Sequence, residues 1–219
     1  MTVAGVLLRY LQRAPEPRRL RVAAHMPLER LPLVAIDCET TGLDPRRDRI
    51  VSFAAISIAS GLHVIDRPLI DTLVAPGIPI PPRAAAVHGI DDVAVARAPA
   101  FAAVLDDITA IMHGSVIVGH HVGFDLAILA REAARARRAW REPPSLDTAR
   151  LLSASGQPLE GLDLAGILAR LGIEPRGRRH SAAGDARMSA DLFVALAHRL
   201  IGQGHGTFGG AAACQRAPC

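Results

Sequence analysis

Two acidic residues at the end of a short apolar run constrain this chain more than any other feature. Residues 33–36 are apolar and partly β-branched, and Asp37 and Glu39 follow directly. The run predicts a buried strand between Pro32 and a Thr-Gly turn signal. Because side chains alternate between the faces of a strand, Asp37 and Glu39 would project from the same face.

Two neighbouring carboxylates at the edge of a core repel each other and lose hydration. A divalent cation bound between Asp37 and Glu39 would relieve both costs. The alternative is a strand that simply runs out into a polar loop, and these two residues by themselves do not decide between the two interpretations.

Later apolar segments predict a mixed sheet covered by helices. Residues 50–58 and 62–74 lack helical spacing and predict an early three-stranded meander with the first strand, and residues 115–119 predict another strand. Helical spacing of apolar residues predicts helices over 99–112, 122–138, 162–171 and 181–201. Strands followed by alternating helices and strands indicate an α/β fold.

The 219 residues are enough for one full-sized core. We predict an N-terminal helical extension and linker over residues 1–30, a main domain over 31–202, and a disordered glycine-rich tail over 203–219. The net charge of +4 and the isoelectric point near 9.7 suit a polyanionic partner without requiring one. The sequence has no membrane-spanning apolar stretch, no good secretory signal and no cysteine framework, which predicts a cytoplasmic protein with no membrane partner.

Two more segments place acids where a strand or loop leads into a helix. Asp125 follows the strand at 115–119, and Asp185 follows His180 at the start of the last long helix. Asp125 could merely complement the helix dipole, and His180 could be an ordinary surface histidine. Strand ends and helix starts are, however, where α/β folds gather their sites.

If Asp37, Glu39, Asp125 and Asp185 converge, their mutual repulsion requires cations. Two divalent ions about 3.5–4 Å apart would make such a cluster a clamp for phosphodiester displacement. Hard oxygen ligands favour Mg²⁺ or Mn²⁺ over zinc.

Three segments of the chain resemble the signatures of the DEDDh 3′–5′ exonuclease superfamily. They read Asp-x-Glu-Thr-Thr-Gly over 37–42, Gly-His-x-x-x-Phe-Asp over 119–125 and His-x-Ala-x-x-Asp-Ala over 180–186. Val-His-Gly-Ile over 87–90 is similar to a further segment of that superfamily, which includes the polymerase III proofreading epsilon subunit, RNase T and oligoribonuclease. The resemblance covers about residues 31–202 and implies a ribonuclease H-like fold with a central mixed five-stranded sheet.

The resemblance also implies roles for individual residues. Asp37, Glu39, Asp125 and Asp185 would hold two Mg²⁺ or Mn²⁺ ions per active site, and His180 would be the general base that takes a proton from the attacking water. The implied substrate-binding residues are Thr40, Thr41, Gly42, Leu43, His88 and Phe124. Leu43 and Phe124 could equally be ordinary core residues. Arg178 and Arg179, just before His180, could contact backbone phosphates or could be solvated loop charges.

The implied reaction removes nucleoside 5′-monophosphates from the 3′ end of single-stranded DNA, in proofreading or repair. The Glu-Thr-Thr-Gly form is similar to the DNA-proofreading branch, whereas an exoribonuclease of the RNase T or oligoribonuclease type is the alternative. A non-catalytic nucleic-acid-binding module would be expected to have lost an acid. Contact with a DNA polymerase subunit and homodimerisation stay open, as does the effect of His121, where relatives commonly have Asn.

Overall fold

The run that ends in the two acids forms the central strand of the sheet and is almost completely buried. The computed structural model describes residues 22–154 and 161–216. Within them the strands are β1 (Leu33–Thr40), β2 (Ile50–Ala59), β3 (His63–Val64), β4 (Ile70–Leu73), β5 (Val116–Gly119) and β6 (Ser145–Asp147). The helices are α1 (Pro82–His88), α2 (Asp92–Val95), α3 (Phe101–His113), α4 (Gly123–Arg135), α5 (Thr148–Ala154), α6 (Leu164–Arg170), α7 (Ala182–Gly202) and α8 (Phe208–Cys214).

The sheet is mixed, as predicted. β1 pairs antiparallel with β2 and parallel with β5, and β6 extends the sheet by pairing parallel with β5. The apolar stretch 62–74 divides into β3 and β4, which pair with opposite ends of β2. Pro68 lies between them and cannot donate a ladder hydrogen bond, so the predicted single strand is interrupted there. The six strands thus occupy five positions, which confirms the predicted five-stranded architecture.

Alternate residues of β1 pack against different helices. Leu33 and Ala35 belong to a buried cluster that includes Ala186, Ala190 and Phe193 of α7. On the opposite face, Val34 and Ile36 pack in a second cluster, to which α3 and α4 contribute. The alanines of α7 let this helix approach the sheet closely. Its position matters for the site, because Asp37 and Glu39 continue the face of β1 that α7 covers.

A short strand and a helix, β6 and α5, were not predicted from the sequence. They follow Pro143 and Pro144, which read as a break between elements. A three-residue strand is too short for any periodic pattern, and its pairing with β5 is visible only in the folded sheet.

The tail predicted to be disordered from residue 203 is folded as far as residue 216. Thr207 caps α8 by accepting a hydrogen bond from the Gly210 amide at 3.1 Å, and Ala211 and Cys214 are buried in the core. The prediction of disorder was wrong because it was based on the absence of apolar periodicity in this segment. Its small residues instead permit close packing, and the Gly209 amide donates to the Ala24 carbonyl at 2.8 Å.

The domain boundary predicted at residue 30 does not coincide with an edge of the core, because residues before it are packed into the core. Residues 28–30 form a 3₁₀ helix, and Leu28 is fully buried in the same cluster as β1. The amphipathic helix predicted near the N-terminus lies outside the described residues. None of the described helices has the length and apolar character needed to cross a membrane.

Candidate active site

Asp37 and Glu39 project from the same face of β1, as the alternation predicts. They stand opposite the small residues Ala54 and Ser52 of β2 in the strand register, which leaves room above them. Glu39 is buried and Asp37 is half-buried. Carboxylate oxygens of Asp37, Glu39 and Asp185 all lie within 4.8 Å of one another. The structure therefore brings together acids that are almost 150 residues apart in the sequence.

Asp185 reaches this cluster from the first turn of α7. Ser181 caps the helix by accepting from the Gly184 amide at 3.3 Å. One Asp185 oxygen, Oδ2, accepts from the His180 amide at 3.0 Å, and the other, Oδ1, accepts from the Arg179 guanidinium at 2.5 Å. Asp185 thus fixes the backbone of the segment that carries the predicted base.

Gly184 allows the loop before α7 to lie directly on the start of the helix. A Cβ atom at this position would be 2.0 Å from the Arg178 carbonyl oxygen, so no side chain can be accommodated without moving the loop. The close approach holds His180 beside the acidic cluster. The glycine in the third signature segment is therefore explained by packing.

Asp125 lines the same cleft but lies outside the group of three. It stands in the first turn of α4, and its Oδ1 accepts from the Cys38 amide at 2.9 Å. This buried bond attaches the start of α4 to β1 at Cys38, the residue between Asp37 and Glu39. One Asp125 oxygen is consequently committed to the fold, and Oδ2 is the oxygen that could meet a ligand.

The crowded carboxylates resist ionisation. Burial raises the pKa of Asp37 well above its usual value, and the charges of Asp125, Asp185 and Glu39 add to that effect. Burial followed by the Asp185 charge raises the pKa of Glu39 to about 7, and burial raises the pKa of Asp125 to about 7. Such mutual destabilisation of the charged forms is expected where acids are arranged to receive a cation.

The acids open onto a cleft of about 410 Å³. The residues that line the cleft are Asp37, Cys38, Glu39, Thr40, Leu43, His120, His121, Phe124, Asp125, His180 and Asp185. All five predicted catalytic residues belong to this set. The donors that could hold a cation are carboxylate oxygens, which fit Mg²⁺ or Mn²⁺ rather than a thiolate- or imidazole-preferring metal.

The predicted substrate-binding residues divide into two groups. Thr40, Leu43 and Phe124 line the cleft, and the Leu43 side chain is 88% exposed there. Thr41 and Gly42, in contrast, are engaged with Asp48. The Thr41 hydroxyl donates to Asp48 Oδ1 at 2.9 Å, and a Cβ on Gly42 would come within 2.7 Å of both carboxylate oxygens. These two residues shape the loop that presents Leu43.

His88 is buried rather than exposed to the cleft. Its Nδ1 accepts from the Ile90 amide at 3.1 Å, and burial lowers its pKa, although a hydrogen bond with the Thr40 backbone opposes that effect. These contacts place the buried His88 beside the Thr40 backbone at the end of β1, and His88 is not among the residues that line the cleft.

Three residues near the acids, His120, His121 and Asp163, were given no role at the site from the sequence, and Arg179 was considered there only as a possible phosphate contact. His120 and His121 line the cleft, and burial together with the neighbouring His121 lowers the pKa of His120 to about 4. Arg179 contacts Asp185, and it also contacts Asp163 at the start of α6. The two histidines stand inside the second signature segment, whereas no sequence pattern indicates the pairing of Arg179 with Asp163.

Comparison with known proteins places this arrangement in a family. Residues 34–193 match the exonuclease family model of the RNase T type. A DNA polymerase III subunit epsilon-like protein of Rhodobacter capsulatus is 40% identical over 188 residues, which cover 85% of this chain and 26% of that protein. The DNA polymerase III epsilon subunit of Aquifex aeolicus is 28% identical over 76% of this chain and 81% of its own length.

A solved structure shows the same fold. Exonuclease X in complex with 5′ overhanging duplex DNA superimposes with a TM-score of 0.63 at 23% identity, over 84% of this chain and 99% of that one. The chain spans about a quarter of the length of the Rhodobacter relative. Because the family model matches residues 34–193, which is most of the chain, the chain belongs to the exonuclease family of the RNase T type.

Proposed function

We propose that this chain is a divalent-metal-dependent 3′–5′ exonuclease that removes nucleotides from the 3′ end of single-stranded DNA. The observation that carries the proposal is the convergence of Asp37, Glu39 and Asp185 within 4.8 Å, with Asp125 in the same cleft. The preference for DNA is supported by the names of the relatives, which are polymerase III epsilon and epsilon-like proteins. Proofreading or repair is the corresponding proposed role.

In this mechanism the four acids would hold Mg²⁺ or Mn²⁺. Bound cations of this kind neutralise the carboxylates, offset charge on the phosphate and favour ionisation of the attacking water. His180 is exposed at the cleft, where its imidazole can accept the proton of that water. An imidazole suits this duty because its neutral form is available near pH 7.

The remaining cleft residues would orient the 3′ end. Leu43 offers an exposed apolar side chain against the terminal base, and Phe124 lines the same cleft. Thr40 stands next to Glu39, and its hydroxyl donates to the Gly42 carbonyl at 2.7 Å. The bond fixes the turn that leads to Leu43, so the backbone facing the nucleotide is held before substrate arrives.

The test is digestion of matched DNA and RNA oligonucleotides labelled at either end, with Mg²⁺ or Mn²⁺. Asp37→Asn should reduce cleavage to background, because it removes a charged oxygen donor at the centre of the cluster. Asp71→Asn, which changes an exposed acid of β4, should keep the parent rate. Normal cleavage by Asp37→Asn would refute the metal site, and faster digestion of RNA than of DNA would replace the proposed substrate.

His180→Ala tests the proposed base separately. We expect the rate to fall by about 10²–10⁴-fold, the usual contribution of general base catalysis. Cation binding should be retained, since the His180 side chain is outside the cluster of three carboxylates. A variant that cleaves at the parent rate at neutral pH would remove His180 from the mechanism.

A further inference from the structure

Arg179 places a permanent positive charge directly on one of the proposed metal ligands. Its Nη1 donates to Asp185 Oδ1 at 2.5 Å. The Arg179 side chain is only 28% exposed, and the Asp185 side chain is 9% exposed. A charge-assisted bond of this length in a sheltered position is among the stronger polar contacts in proteins.

The same guanidinium has a second acidic partner outside the cluster. Arg179 Nε lies 3.3 Å from Asp163 Oδ2, and the Asp163 side chain is 57% exposed. The other Asp163 oxygen, Oδ1, caps α6 by accepting from the Gly166 amide at 2.9 Å. The start of α6 therefore anchors Asp163 through Oδ1 and leaves Oδ2 to contact Arg179. Arg179 thus lies between Asp185, an acid of the site, and Asp163, an acid at the border of the site.

The charge of Arg179 also acts on the rest of the cluster. Burial and the neighbouring acids raise the pKa values of Asp37 and Glu39, and Arg179 opposes both increases. It thus supplies part of the positive charge that the crowded carboxylates need. A divalent cation bound by Asp185 would supply positive charge to the same carboxylate oxygens.

We propose that Arg179 is a built-in counter-cation that competes with divalent metal ions for Asp185, with Asp163 as its alternative partner. This inference rests on the metal site of the proposed function. A guanidinium presents several donors in a planar fork and can keep one carboxylate while releasing another. Cation binding then requires Arg179 to loosen its hold on Asp185, which raises the cation concentration needed to fill the site.

The experiment measures Mn²⁺ binding without nucleic acid, by calorimetry and by loss of the free Mn²⁺ electron paramagnetic resonance signal. Arg179→Met, which keeps much of the side-chain bulk, should lower the Kd for Mn²⁺ by about tenfold, as expected when a charge-assisted bond no longer competes. Arg178→Met is the matched control, because Arg178 donates to the His88 carbonyl at 3.2 Å and affects Glu39 only through its charge, without a hydrogen bond to an acid of the cluster. Its effect should stay below about threefold, since a nearby solvated charge is screened.

Asp163→Asn provides a change of opposite sign. The amide oxygen can still cap α6, but the loss of charge leaves Arg179 with Asp185 as its main partner, so the Kd for Mn²⁺ should rise. The rise should disappear when Asp163→Asn is combined with Arg179→Met. A similar rise in both backgrounds would mean that Asp163 acts only as a distant charge and would overturn the competition.

The remaining outcomes are equally decisive. An unchanged Kd in Arg179→Met, with parent protein that binds Mn²⁺, overturns this inference and leaves the proposed function standing. Parent protein that binds no Mn²⁺ overturns both. If Arg179→Met does not give the parent circular dichroism spectrum, Arg179→Gln is used instead; it removes the charge with a shorter polar side chain, and a lowered Kd supports the competition.

Discussion

At the scale of single residues, the cleft is built partly from unusual backbone conformations. Among the described non-glycine residues with positive φ, His121 and His180 both line the cleft, with φ of 59° and 55°. Such conformations cost most non-glycine residues free energy, and they persist where the surroundings hold them in place. The His121 amide donates to Asp147 Oδ1 at 3.1 Å, and the His180 amide donates to Asp185. These hydrogen bonds hold the two backbone segments so that both histidines lie at the cleft.

His121→Asn is expected to stabilise the protein, because asparagine tolerates the left-handed conformation better than histidine does. We expect the free energy of unfolding to rise by about 0.5 kcal/mol or more. This is part of the roughly 1–2 kcal/mol that the left-handed conformation costs a residue other than glycine. Urea unfolding measures the change. His63→Asn is the control, since His63 is exposed in β3 with ordinary strand geometry, and asparagine is disfavoured in strands. Equal or lower stability of His121→Asn would contradict the strain argument.

At the scale of elements, the outer edge of the sheet is closed by the C-terminal segment. β6 is paired with β5 on one side only. On its other side, Gln215 just after α8 accepts from the Asp147 amide at 3.0 Å and donates to the Ser145 carbonyl at 3.3 Å. One amide side chain thus replaces the hydrogen bonds of a further strand. Exposed strand edges favour unwanted pairing, and covering them is a common protection.

Gln215→Ala should therefore destabilise the protein although Gln215 is only partly buried. Loss of both bonds leaves the Asp147 amide and the Ser145 carbonyl without this partner, which costs about 1–3 kcal/mol in the free energy of unfolding. Chemical unfolding of Gln203→Ala, a change at an exposed position after α7, should differ from the parent by less than about 0.5 kcal/mol. If the two variants are equally stable, the segment after residue 203 does not support β6 as described.

At the scale of the whole molecule, the fold concentrates negative charge at one place. The two clusters on opposite faces of the sheet hold α4 and α7 so that their first turns point to the end of β1. The packing of apolar side chains therefore forces Asp125 and Asp185 towards Asp37 and Glu39. The fold tolerates this repulsion, and we expect bound cations to relieve it.

Stability should consequently fall as pH rises, when no divalent cation is added. Glu39 and Asp125 have folded-state pKa values of about 7, above their ordinary values near 4. The folded chain then binds more protons than the unfolded chain between about pH 4 and pH 7, so the contribution of these groups to the free energy of unfolding decreases across that window. Thermal unfolding at fixed ionic strength should show Tm decreasing towards pH 7.

Two comparisons isolate the cause. Added Mn²⁺ should raise Tm at pH 7 more than at pH 5, because cations bind the ionised carboxylates and stabilise the folded state. Asp37→Asn should weaken the dependence of Tm on pH, since it removes one of the mutually repelling acids. A parent protein whose Tm is insensitive to Mn²⁺ at pH 7 would contradict the cation site.

The sequence alone determined the strand that carries Asp37 and Glu39, the fold class, the long helices and the residues of the signature segments. Apolar periodicity and local spacing record these features, because each depends on neighbours within one or two turns. The same logic explains the errors. β6 has too few residues for a pattern, and the small residues of α8 look like a flexible tail when they actually pack.

Only the tertiary structure decided which acids meet and what else meets them. It placed Asp125 on the Cys38 amide, outside the group of three, and buried His88 beside the Thr40 backbone at the end of β1. It also brought Arg179 between Asp185 and Asp163. No local pattern encodes these contacts, because they arise where packing on both faces of the sheet brings distant segments to one strand end.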